Sequence, residues 1–169
     1  MRRILLAGAM FISIFSFAQT QYEVSIDGQD KILKGIINRD LIANDTTLKW
    51  YKQNQAGYKP DQATINALKT KSSSLQLIVF GGTWCGDTKY ILPKFFVLTE
   101  AAGFSQDHIT LIGVDRNKKT ISHLAEALGV INVPTIIVMR DGKEIGRVVE
   151  YGKTGAWDKE LGEIITADK

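Results

Sequence analysis

One cysteine stands in 169 residues, so no disulfide can close within the chain, and a small disulfide-stapled scaffold is excluded. Only three prolines are present, which rules out a proline-rich or collagen-like chain. Two histidines, His108 and His123, fit no metal-ligand spacing with the single cysteine, so no metal and no cofactor are expected. Neither sign of charge dominates. Lysine and arginine number 21 against 18 acids, a formal +3, and this near-balance gives no electrostatic case for binding nucleic acid or an acidic membrane surface. What is present, 44% apolar and 23% charged residues with 15 glycines, is the composition of a folded domain long enough to bury a core.

The N-terminus reads as a targeting segment. Arg2 and Arg3 precede an apolar run from Ile4 to Phe17, and small residues, Ser16 and Ala18, lie three and one positions before Gln19. That pattern is a secretory signal peptide over residues 1–18, and the run is shorter than the ~20 residues of a spanning helix. No cysteine stands near Gln19 to carry a lipid, so no stable membrane anchor is expected after cleavage. The expected location is outside the cytoplasm, periplasmic or secreted. Removing Arg2 and Arg3 leaves 19 bases against 18 acids.

Residues 19–72 form an extension expected to pack on a main domain at 73–169. Its first part is weakly strand-like, with a turn at Asp27-Gly28. Two short helices follow in the reading, one over Thr46–Gln55 capped by Asp45, the other over Asp61–Lys71 behind Pro60. Trp50, Tyr51 and Tyr58 are expected to join the extension to the main domain. After Ser74 the signals sharpen. Apolar runs at Leu75–Phe80, Ile109–Val114 and Thr135–Met139 predict buried strands, and Asp141-Gly142 predicts a hairpin to Ile145–Tyr151. Helices are predicted over Thr88–Ala102, Thr120–Leu128 and Trp157–Ala167. The order implies an α/β fold, a four-stranded mixed central sheet flanked by helices on both faces.

Cys85 falls between a buried strand and a helix, in Gly82-Thr83-Trp84-Cys85-Gly86-Asp87-Thr88. A helix N-terminus offers free N–H groups and a positive dipole end, and both favour the thiolate, the nucleophilic form. Asp87 opposes that charge and Lys89 offsets Asp87 in part. Pro93, eight residues after Cys85, should kink the helix. Val133-Pro134-Thr135 opens a strand in a way that suggests a cis peptide.

Together, Trp84-Cys85-Gly86 with Pro93, the Gly129–Thr135 segment and the hairpin resemble the thioredoxin family over about residues 73–169. The resemblance implies a thioredoxin-like fold and a thiol–disulfide exchange site. Cys85 is then the catalytic residue, supported by Trp84, Gly86, Asp87 and Thr88. Val133 and Pro134 form the floor of a groove in which backbone groups hold an extended partner peptide. Asp115 is the candidate to hold the Trp84 indole, the alternative being that it caps its own loop.

Departures from the family pattern narrow the reading. The position of the second family cysteine holds Thr88, whose hydroxyl could donate to the Cys85 sulfur or serve helix packing. The family's buried aspartate and its companion lysine correspond to Val79 and Leu111. What remains is a monothiol disulfide oxidoreductase or isomerase with a Cys-x-x-Thr motif. Its partners would be protein or peptide disulfides and thiols, with an external reductant or resolving thiol. The alternative is a non-catalytic binding module holding extended chains or a partner protein in the groove. A disulfide-linked homodimer through Cys85 would be a variant of either.

Overall fold

The computed structural model describes residues 21–167; the expected signal peptide over residues 1–18 lies outside them. Six strands, β1 (Tyr22–Asp27), β2 (Asp30–Ile37), β3 (Leu75–Gly81), β4 (Ile109–Gly113), β5 (Thr135–Arg140) and β6 (Lys143–Val149), form one sheet in the order β1-β2-β4-β3-β5-β6. Strand β3 (Leu75–Gly81) lies at its centre, parallel to β4 (Ile109–Gly113) and antiparallel to β5 (Thr135–Arg140). Antiparallel β6 (Lys143–Val149) closes one edge through the Asp141-Gly142 turn. Both turn residues have positive φ, 49° and 74°, as a two-residue hairpin with the right-handed strand twist requires.

The side chains of β3 alternate between two apolar layers. Leu75, Leu77 and Val79 join the larger one, and Phe80 the smaller. Over the larger layer lie α3 (Gln62–Lys71), α4 (Gly86–Ala101) and α6 (Trp157–Ala167). Helix α6 points Trp157, Leu161 and Ile165, spaced by four, into this core. The smaller layer is covered by the one-turn α5 (Leu124–Ala127) and by Val130 and Val133 of the following loop.

The sheet has six strands rather than the expected four because the extension contributes two. Strand β1 (Tyr22–Asp27) turns directly into β2 (Asp30–Ile37), and β2 pairs antiparallel with β4. Unpaired, β4 would leave a row of backbone donors and acceptors at an apolar edge. The first expected helix is also shorter. Asp45 accepts from the Thr47 amide at 2.8 Å and its hydroxyl at 2.6 Å, a local turn that competes with helix, so α2 covers only Trp50–Gln53. A helix the sequence reading passed over, α1 (Arg39–Ala43), is capped by Asn38, whose carboxamide accepts from the Leu41 amide. The expected helix over Thr120–Leu128 is broken into a 3-10 turn and α5, since Ser122 and His123 adopt φ of 51° and 53°.

The extension packs through its aromatics. Tyr51 is buried against Phe96, with ring centres 6.4 Å apart. Tyr58 stacks on Trp157 and donates to Asp158 at 2.7 Å. Lys31 pairs with Asp45 at 2.6 Å, and this hydrogen bond, with those from Thr47, lowers the Asp45 carboxyl to about 2. A carboxyl depressed on folding contributes stability that is complete above its unfolded value near 4 and is lost as pH falls through about 2. Urea titrations between pH 5 and ~2 should therefore show a loss on the order of 1 kcal/mol in the wild type that Asp45→Asn lacks. Equal slopes in the two proteins would contradict the assignment.

Candidate active site

The loop after β3 brings the candidate residues together. Cys85 is the N-cap of α4, in extended conformation with φ −81° and ψ 130°. Its amide donates to the Gly82 carbonyl at 2.8 Å, and its own carbonyl accepts the first helical bond from the Lys89 amide. A Cβ on Gly82 would meet the Trp84 indole at 2.7 Å, so only glycine lets the chain fold back over that ring. The Cys85 side chain is half-buried, and its Sγ lies 3.2 Å from the Val133 carbonyl oxygen, to which the thiol donates.

The Val133–Pro134 peptide is cis. Val133 is buried, and the Pro134 carbonyl accepts from the Glu150 amide at 2.7 Å. Just before this corner Ile131 is 78% exposed, an apolar side chain open to a partner. Tyr151, next to Glu150, sits near Asp87; burial first, then Asp87, Tyr90 and Cys85, push its phenol up. The ring of Tyr151 lies 5.8 Å from that of Tyr90 on α4. No sequence signal pointed to this aromatic pair, because its members are 61 residues apart in the chain.

The geometry decides between alternatives that the sequence left open. The Trp84 indole N–H donates to the Val114 carbonyl at 3.0 Å, not to Asp115. Asp115 closes its own loop instead, accepting from the amides of Asn117 and Lys119, and pairs with Lys34. Its side chain is one residue too far along the strand end and is satisfied locally. The Thr88 hydroxyl is fully buried and accepts from the Gly82 amide at 3.2 Å rather than donating to sulfur. Lys89 pairs with Asp30 of the extension at 2.8 Å.

Two positions flagged as departures become neighbours in space. Val79 and Leu111 are register partners on adjacent parallel strands and both are buried in the larger core layer. The histidines stand apart from the site. His108 bonds the Ser72 carbonyl and His123 lies beside Glu126.

A residue the sequence reading missed is Thr83. Buried two positions before Cys85, its hydroxyl donates to the Lys31 carbonyl at 2.6 Å and accepts from the Leu33 amide at 3.2 Å. Strand β2 thus ties down the loop that carries the cysteine.

A nucleophile-type cysteine at a strand–helix junction, facing a cis-proline corner across 3.2 Å, defines a thiol–disulfide oxidoreductase-like site on an α/β scaffold. Residues 60–162 match the family model Thioredoxin, and the chain belongs to the thioredoxin family. A thioredoxin of Mycolicibacterium smegmatis is 31% identical over 94 residues, covering 56% of this chain and 81% of that one. One from Staphylococcus saprophyticus is 37% identical over 81 residues, 47% of this chain and 71% of its own. The crystal structure of reduced Schistosoma mansoni thioredoxin aligns with 65% of this chain and 93% of its own, at 27% identity and a TM-score of 0.41. The partners of such a protein are protein thiols and disulfides.

Proposed function

We propose that this is an exported thiol–disulfide exchange protein working through Cys85 alone. The observation that carries the reading is the position of Cys85, with its Sγ against the Val133 carbonyl and the buried Thr88 three residues on. The Cys85 thiolate attacks one sulfur of a partner disulfide, the S–S bond breaks, and the second partner sulfur leaves as a thiolate. A mixed disulfide remains. An external thiolate then attacks the Cys85 sulfur and the remaining partner sulfur leaves as a thiolate; a second external thiolate attacks the new Cys85 mixed disulfide, forming an external disulfide and restoring the Cys85 thiolate. Two external electrons are thereby used for each partner disulfide reduced, or none if the displaced partner thiol returns in an isomerisation.

The groove supports this cycle. When a partner arrives, its disulfide takes the place of the thiol's contact with Val133, while the apolar Trp84 and Ile131 border the approach. Export rests on the basic, apolar and small-residue pattern of residues 1–18. Purification from the producing cell should give a mature chain beginning at Gln19 in the exported fraction.

The test of the exchange reaction is trapping. Incubated with a disulfide-containing protein and quenched with acid, the wild type should yield a mixed disulfide that dissolves on adding dithiothreitol. Cys85→Ala, which keeps the groove, should yield none. A wild type that forms no adduct, or an alanine variant that forms as much, would refute the reading.

A further inference from the structure

The extension reaches the cysteine site through charge as well as through Thr83. At the hairpin turn, Asp30 accepts from Lys89 at 2.8 Å with one oxygen and from Arg116 at 2.7 Å with the other. Arg116 also pairs with Asp27. Its guanidinium lies over the Trp84 ring, 5.5 Å from the centre. Lys89 follows Cys85 by one helical turn, joined to it by the first backbone bond of α4. Asp30 is therefore bonded to two cations, one on the cysteine's helix and one on the tryptophan that precedes the cysteine. It belongs to the extension, in front of the segment that matches the family.

We infer that Asp30 is a positioning residue of the cysteine site, holding Lys89 and Arg116 in place and setting the charge that an incoming disulfide meets. The inference rests on Cys85 being the nucleophile. The cluster holds Asp27 and Asp30 against Lys89 and Arg116, two charges of each sign, and so is neutral. The other charged groups near this seam are Lys31 with Asp45, Lys34 with Asp115, and Asp87 near Tyr151. Neutralising Asp30 leaves one unbalanced positive charge at Trp84 and one helical turn from Cys85, and frees the Lys89 ammonium to move. An anionic disulfide then gains and a cationic one loses, while any change in the nucleophilicity of Cys85 affects both alike.

The experiment measures rate constants of the reduced chain with dithiodipropionate, cystamine and neutral hydroxyethyl disulfide at low ionic strength. Asp30→Asn should raise the ratio of the anionic to the cationic rate by about three- to tenfold, an effect that shrinks toward unity at ~1 M salt. Asp30→Glu should keep the wild-type ratio, and Asp30→Asn with Lys89→Gln should return toward it. Lys89→Gln alone should move the ratio in the opposite direction, which tests the inference even if the Asp30 variant does not fold. Asp141→Asn, in the β5–β6 turn, makes the same change in net charge and serves as the control. A reactive wild type whose ratio is unmoved by Asp30→Asn, or moved as much by Asp141→Asn, overturns this inference alone. A wild type inert toward all three disulfides overturns the nucleophile reading and this inference with it.

Discussion

Thr88→Cys should convert the single-thiol site into one that closes an internal disulfide. Cys85 is the N-cap of α4 and Thr88 the third residue of that helix, positions whose side chains commonly reach one another. A sulfur at residue 88 would lie one turn from Sγ, within the range a disulfide spans. Mild oxidation should remove both free thiols without forming a dimer, as a thiol count and an intact mass would record. The substitution gives up the bond from the Gly82 amide to the Thr88 hydroxyl, a cost of about 1 kcal/mol. Insulin reduction should become measurable but slow, because no carboxyl stands at Val79 to take the proton of the new thiol. Adding Val79→Asp should raise that rate, at about 1–3 kcal/mol for burying even a neutral carboxyl in the core. Two thiols that stay free under oxidation would show that the two side chains are not arranged as described.

Gly113→Ala should produce a large loss of structure from a single methyl group. Gly113 faces Gly35 across the β2–β4 pair, and an added Cβ would meet the Leu33 carbonyl oxygen at 2.1 Å. The obstacle is backbone, so no rotamer relieves it. The strands must part, and overpacking of this kind costs about 1–3 kcal/mol. Strand β2 would withdraw from β4, and Thr83 would lose its partners at Lys31 and Leu33. The urea midpoint should fall, and the amides of Trp84 and Cys85 should exchange faster, since the loop then opens locally. Gly86→Ala, where an added Cβ meets nothing within 4 Å, is the matched control and should leave the midpoint nearly unchanged. A Gly113→Ala protein with the wild-type midpoint and exchange rates would remove the case that β2 braces the site.

The parts of this protein legible in its sequence are those with a local cause. A short apolar run bounded by glycines predicts a buried strand, and β3, β4 and β5 lie where such runs occur. The cysteine at a strand–helix junction, Pro93 within the helix and Val133-Pro134 ahead of a strand are likewise readable, because each acts on its own stretch of backbone. The start of α3 falls one residue later than expected, because Asp61 caps it, its carboxyl accepting from the Thr64 amide. Where two local tendencies compete, as at Asp45-Thr46-Thr47, the reading of a longer helix fails because the side-chain turn wins.

Local sequence was enough for the family, the chain order of the strands and helices after Ser74 and the nucleophile candidate. Tertiary structure alone decided who surrounds it. Trp84 finds its acceptor in the backbone of Val114, a group that every residue carries and that no side-chain pattern marks. Thr83 is held by strand β2 from 52 residues away, and Asp30 meets Lys89 and Arg116 across separations of 59 and 86. Periodicity and capping report on a few turns of chain. Contacts at such separations depend on which edge of the sheet is left open, and β4 leaves the edge that brings the extension beside the cysteine.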